Sequence, residues 1–391
     1  MKSNKRVRTM KWLSAILCGG ALAACLAVAG CGKSDSTASS APAPGGGTDA
    51  AKPIIVGFLY VGTKDDYGYN EAHAEGAAAV KAMPDVKVIE VESVQETKDC
   101  QDAMESMINL QGASIIFATS FGYFNPHVQV VAKKYPNVTF LHAGGTYVEG
   151  TTPTNVGTYF AYIDELEYLC GMASGMTTKS NKLGYVAAKP ITPVLRDINA
   201  FEMGAKSVNP NATTTVIFTG DWFEPNKEAN AVTNLADQGI DVVTGHVDSP
   251  KVMIQTADKR GIYCCGYHFD GSALAPTHYL TGAEWNWGPM YVQFVNDIRA
   301  GKPLPRNLMG SIRNGVVKLS PYGPAVADAT KVAVDAVKTQ MVAGTFHMFK
   351  GPLKDNKGNV VMPEGQSLDD QDPKLWGMNY LLEGVVGSTG S

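Results

Sequence analysis

Charge is scarce in this chain. Asp, Glu, Lys and Arg make up 18% of its 391 residues and nearly cancel, leaving a net charge of −4. Catalytic signatures are missing too: there is no G-x-S-x-G, no H-E-x-x-H and no G-x-x-x-x-G-K-[ST], and GMASG at 171–175 has Ala at its centre. Those absences remove the nucleophile elbow, the zinc-protease helix and the phosphate-cradling loop, and they argue against an enzyme. Cysteine is sparse, and the positions of Cys100, Cys170, Cys264 and Cys265 make no disulfide framework and no zinc spacing. No metal or cofactor is expected. Adjacent Cys264 and Cys265 read as small apolar residues on opposite faces of one strand.

Long apolar runs are likewise absent, except at the start. MKSNKRVRTMK is basic and WLSAILCGGALAACLAVAG follows it, the pattern of an export leader over residues 1–30. Val28-Ala29-Gly30-Cys31 resembles a bacterial lipobox, which makes Cys31 the expected lipidation site. KSDSTASSAPAPGGGTDA then reads as a flexible tether to residue 52, too rich in Ser, Ala, Pro and Gly to bury a core. The expected picture is a body outside the cytoplasm, lipid-anchored to a membrane. Loss of the leader takes its five Lys and Arg residues and moves the net charge to about −9, which argues against nucleic acid as a partner.

From Pro53 the chain alternates strand and helix. IIVGFLY, VKVIEV, SIIFA and VTFLHA are strands; a helix over 71–83 stops at Pro84, and Thr97 caps another that Gly112 ends. Asn125-Pro126 opens a further helix that Pro136 closes. The series restarts with a helix from Asp164 to Met176, its Leu166, Leu169, Cys170, Ala173 and Met176 on one face, then KLGYVAA, TTTVIFTG, DVVTG and IYCCGY as strands. Two βαβ series imply an α/β fold of two Rossmann-like parallel-sheet lobes joined by a hinge of several crossings. The expected lobes are 53–162 with 283–318, and 163–282 with 319–391. THYLTGAEWNW and the following helix are assigned to the first lobe, and GPLKDNKGNVVMPEG to two short strands about a turn.

Ligands of open parallel sheets bind where the strands end. Here those ends read VGTKDDYGYNE, TSFGYFNP, TGDWFEP, HVDSP and YHFDGS, rich in aromatics, Asp and Asn. Flat heteroaromatic ligands need ring faces and a few polar groups to orient them. Tyr69, Phe121 and Trp222 are the candidate stacking faces. Asn70 is a candidate for paired hydrogen bonds to an adenine edge, Asp248 for accepting from ring or amino N–H, Asp270 for a contact at its strand end, and Trp285 for a bulky indole that narrows the pocket. Tyr123, Phe124 and Phe223 are assigned to core or rim. His142, His246 and His268 lack metal spacing and are assigned surface or capping roles.

The lipobox, DYGYNE, GDWFEPNKEANAVTNLADQGIDVVTGHVDSP and the closing GPLKDNKGN and LLEGVVG resemble the basic membrane protein (BMP) lipoproteins across the body from residue 53 on. That resemblance implies a Venus-flytrap fold of the type I periplasmic-binding-protein class, ABC permease subunits as partners, acyl chains on Cys31, and a purine base or nucleoside as ligand. Nucleoside-binding members carry a Lys near the strand end where this chain has Glu284-Trp285-Asn286-Trp287. An indole in place of a ribose-binding ammonium points to a free, adenine-like base. A ligand sensor and a surface interaction lipoprotein are the alternatives of other kinds.

Overall fold

A computed structural model describes residues 53–390; the leader, Cys31 and the tether lie outside the described residues. The first lobe is built from β1 (Ile54–Leu59), α1 (Tyr69–Lys81), β2 (Val86–Val91), α2 (Lys98–Gln111), β3 (Ile115–Ala118), α3 (Gln129–Lys134), β4 (Thr139–Ala143) and β5 (Val156–Ala161). The second takes α4 (Asp164–Thr177), β6 (Lys182–Ala187), α5 (Thr192–Val208), β7 (Thr213–Phe218), α6 (Pro225–Asp237), β8 (Val242–His246), α7 (Lys251–Arg260), β9 (Tyr263–His268) and β10 (Tyr279–Trp285). The chain then runs through α8 (Trp287–Arg299), β11 (Leu308–Gly310), β12 (Val317–Leu319), α9 (Asp328–Val342), the hairpin β13 (Leu353–Lys354) and β14 (Val360–Met362), and β15 (Val385–Val386).

The sheets run in the orders β11-β5-β4-β3-β1-β2 and β12-β10-β9-β8-β6-β7-β15. All pairings in both are parallel except β10 with β12. Alternation along each strand sorts side chains to two faces. In β1, Phe58 packs with Ala77, Trp287 and Tyr291 of α1 and α8, while Leu59 packs with Met104, Met107 and Val131 of α2 and α3. In β9, Cys264 joins the α6–α7 side with Leu235 and Met253, and Cys265 joins the α4–α5 side with Leu169 and Phe201.

Three crossings join the lobes: at Tyr162–Ile163, at Asn286, and between Gly310 and Val317. The two later ones differ from the expected boundaries at 283 and 319. β10 stays in the second sheet through Trp285, because it pairs with β9 and β12 and buries all seven of its residues. β12 already lies in the second sheet as well.

Most helix signals act as expected: Thr97 accepts from the Asp99 N–H, and Gly112 ends α2 in the left-handed conformation. The helix expected from Asn125-Pro126 is instead irregular through Val128 and regular only over α3. In α4 nearly every residue is buried, whereas Met176, expected on its apolar face, is exposed. GMASG belongs to the contact between α4 and α5, where a Cβ on Gly171 would collide with the Phe201 carbonyl oxygen.

Candidate functional site

The carboxyl ends of both sheets face one another, and the loops that leave them enclose a cavity of about 50 Å³. Tyr69, Ser120, Phe121 and Phe160 line it from the first lobe; Trp222, His246, Asp248, His268 and Trp285 line it from the second. Trp222 and Asp248 also line a larger chamber of about 440 Å³, bounded by Asp66, Asn70, Glu96 and Phe223. The chamber lies within the range of roughly 300–1,000 Å³ usual for ligand pockets and the inner cavity lies below it. A ring therefore fits the inner space only if the side chains around it shift or the lobes part.

The segment after β1 builds the first-lobe wall. Asp66 is buried and accepts from the backbone N–H groups of Gly68, Asn70 and Glu71 at 2.9, 3.1 and 3.0 Å, so it caps α1. Asn70 donates to Asp66 at 2.7 Å and accepts from the Gly62 N–H at 3.1 Å. Both ends of its amide are thus engaged within its own lobe, which leaves one N–H and corrects the expectation of paired adenine contacts. Tyr69 donates its hydroxyl to the Thr119 carbonyl at 2.6 Å and presents its ring to His268 at a centroid separation of 5.2 Å.

From the second lobe, β7 and β8 deliver the polar centre. The Asp248 N–H donates to the Trp222 carbonyl at 2.8 Å, which holds the two loops side by side. The Trp222 ring lies 5.9 Å from His246, and the Lys189 ammonium stands 5.3 Å from its centroid. Lys189 also pairs with Asp221 at 2.7 Å. His246 is fixed from below: its Nδ1 is 2.7 Å from an Asp197 oxygen that also accepts from the Tyr267 hydroxyl at 2.6 Å. A carboxylate partner places a ring proton on Nδ1 and turns Nε2 away from Asp197.

Asp248 differs from its neighbours. Among the described residues no side chain or backbone group bonds to its carboxyl. Asp248 is half-buried and lines both the cavity and the chamber. Burial, and then the nearby acids Asp66, Glu96, Glu228 and Asp221, push it up to about 8.

The ends of β9 and β10 close the back. His268 has φ of 71°, a left-handed conformation that is uncommon outside Gly. Its Nδ1 accepts from Trp285 Nε1 at 2.7 Å. Trp285 stacks on Trp287 at 4.9 Å, and Trp287 on His73 at 5.2 Å and on Tyr291 at 5.9 Å. A column of rings thus passes from the cavity through the crossing at Asn286 into the first lobe.

Six of the seven expected site residues border these two spaces: Tyr69, Phe121, Trp222, Asp248 and Trp285 the cavity, Asn70 the chamber. Asp270 lines neither. It accepts from the Ser272 N–H at 2.9 Å and caps the turn 272–274, because a short Asp side chain at a strand end is captured by the first free N–H. His246 and His268 were assigned to the surface or to caps and instead line the cavity, 9% and 2% exposed. His142 is buried, tied by the Gly145 N–H and the Ser120 carbonyl, as a loop cap. Phe160 escaped because β5 carried no recognised pattern. Among the described residues no helix is long and apolar enough to cross a membrane.

Residues 54–344 match the family described as ABC transporter substrate-binding protein, PnrA-like. A purine-binding protein of Brucella abortus is 35% identical over 87% of this chain and 95% of its own. A putative ABC transporter glucose-binding protein of Haloferax volcanii is 32% identical over 89% of this chain and 84% of its own. Among solved structures, an ABC transporter solute-binding protein from Aeropyrum pernix superposes with a TM-score of 0.66 at 16% identity, covering 83% of this chain and 96% of that one. One from Conexibacter woesei gives 0.62 at 22%, covering 75% and 97%.

Proposed function

Because the chain belongs to the PnrA-like family of ABC transporter substrate-binding proteins, whose task is capture outside the cytoplasm and not catalysis, we propose that its own cargo is a purine base held between the lobes. The observation that carries this reading is the carboxyl of Asp248, without a partner among the described residues, in a cavity whose wall includes the rings of Trp222, Tyr69, Phe121, Phe160 and Trp285. Rings supply stacking surface, and one carboxyl among them orients a flat heterocycle through its N–H groups. The name carried by the Brucella relative supports the class. Trp285, buried near the strand end where nucleoside-binding members carry a Lys, favours the free base over the nucleoside.

Delivery to ABC permease subunits, with Cys31 as the lipid anchor, completes the reading. The glucose-binding name of the Haloferax relative favours a second one, since sugars also lie on aromatic faces beside carboxylates. Isothermal titration of the mature chain with adenine, guanine, hypoxanthine, their nucleosides and glucose separates them. Binding of bases ahead of nucleosides is expected; glucose binding with no purine binding would retire the purine reading. Uptake of the same base by cells that lack the protein distinguishes transport from sensing or adhesion.

A further inference from the structure

Asp248 can meet a ligand in two ways. As a carboxylate it accepts twice, and suits an edge with two adjacent N–H groups, such as N1–H and the amino group of a 2-amino-6-oxopurine. As a carboxylic acid it donates once and accepts once, and suits an edge with a ring nitrogen beside an amino group, as in a 6-aminopurine. No protein group competes for either oxygen among the described residues.

The surroundings decide between the two forms. Asp66 from the loop before α1, Glu96 from the loop after β2, Asp221 from the loop after β7 and Glu228 of α6 all act on this carboxyl with the same sign. None of the nearby bases pairs with this carboxyl: Lys189 is held by Asp221 and the Trp222 ring, Lys251 lies 5.0 Å from the Tyr67 ring, and His246 and His268 are engaged through Nδ1 with Asp197 and Trp285. A carboxyl lining a cavity among acids, without a paired cation, resists ionisation.

Resting on the purine reading above, we propose that Asp248 reads the ligand as a carboxylic acid, so that the site takes a 6-aminopurine, and that loss of its proton turns the preference toward a 2-amino-6-oxopurine. The burial that pushes Asp248 up to about 8 puts this change within reach of ordinary buffers. The carboxyl then works as a proton-linked selector between two purine classes, not as a fixed acceptor.

Titration of the mature chain with adenine and with guanine at about pH 6 and about pH 8.5 tests it. A pocket built for one hydrogen-bonding edge rejects the other strongly. Adenine is expected to be favoured at the lower pH by about tenfold or more, and the adenine-to-guanine ratio to fall by a similar factor at the higher. In Asp248→Asn, whose amide permanently donates and accepts, the ratio should be flat with pH and adenine should bind more tightly than to the wild type at about pH 8.5. Wild-type titrations in buffers of different ionisation enthalpy give a second readout: adenine takes up a proton at the higher pH, and guanine releases one at the lower. Binding of both bases with a pH-independent ratio and no proton exchange overturns the proposal while the purine reading stands. Binding of neither base at either pH removes both.

Discussion

The backbone N–H of Tyr69 donates to the carbonyl oxygen of Asp248 at 2.8 Å, a main-chain bond that runs from one lobe to the other. Beside it Ser249 donates its hydroxyl to the Asp66 carbonyl at 2.6 Å. Gly68 lies between the two bonds, and a Cβ there would collide with the Asp248 oxygen and crowd Pro250. The lobes thus close onto backbone, at a position where any side chain stands in the way.

Gly68→Ala should therefore act on closure. The clash exists only when the lobes meet, so the folded lobes themselves lose little. If the closed population falls to about a tenth, apparent affinity falls by about the same factor. Titration calorimetry reads the affinity, and small-angle scattering reads the ligand-induced compaction, which should shrink or vanish. Wild-type affinity with wild-type compaction would show that the segment yields.

Trp222→Ala removes the ring that borders both the cavity and the chamber. Base–aromatic stacking is worth about 1–3 kcal/mol per base, so purine affinity should drop by about tenfold or more. The Asp248 bond to the residue 222 carbonyl is main chain and survives the substitution. An unchanged dissociation constant would assign Trp222 to packing on Lys189 and His246.

How much of this was legible beforehand follows from the range of the signals. Strand-and-helix alternation is local, and Thr97, Gly112 and the apolar runs announced it. The strand ends named Trp222 and Asp248 because a parallel sheet puts every strand's carboxyl end at the same edge. What failed was non-local. Nothing near Asp270 in sequence says that its oxygen turns to the Ser272 N–H, and nothing near His246 says that Asp197 of α5 holds its ring. β5 was missed, and Phe160 with it. The lobe in which β10 ends depends on its partners β9 and β12, which no window around Trp285 contains.

At the first crossing, Arg196 is 2% exposed and reaches Asp164 through two bonds of 2.6 and 3.0 Å. Its guanidinium lies 5.1 Å from the Tyr162 ring and 5.4 Å from Trp376. Asp164→Ala leaves that buried charge without its carboxylate, holding the Asp370 carbonyl at 2.9 Å, and removing one partner of a buried pair costs about 3–5 kcal/mol. Chemical denaturation should show a loss of this size. Adding Arg196→Met to Asp164→Ala should recover part of it, because an apolar side chain suits the same ring-lined slot. A double variant no better than Asp164→Ala alone would place the cost in the helix start and not in the stranded charge.

Stability should also fall as the solution is made basic. Burial is the first cause that pushes Glu165 and Asp248 up to about 8, and Glu202, Glu228 and Asp370 up to about 7. In the unfolded chain such acids titrate near 4. Between those limits the folded protein holds more protons than the unfolded one, so rising pH favours unfolding, by about 1.4 kcal/mol per pH unit for each proton held in excess. His73 and His142, which burial lowers to about 3, work the other way. They gain a proton on unfolding only below the ordinary His value near 6.5, so their contribution is complete above it. From about pH 6.5 to 8.5 the acids act alone, and the melting temperature measured by calorimetry should decline through that range. Glu165→Gln, which keeps an oxygen for the Ile312 N–H that Glu165 now receives at 2.7 Å, should make the decline shallower. A melting temperature that rises over the same interval would mean that these carboxyls are ionised in the fold and paired with cations.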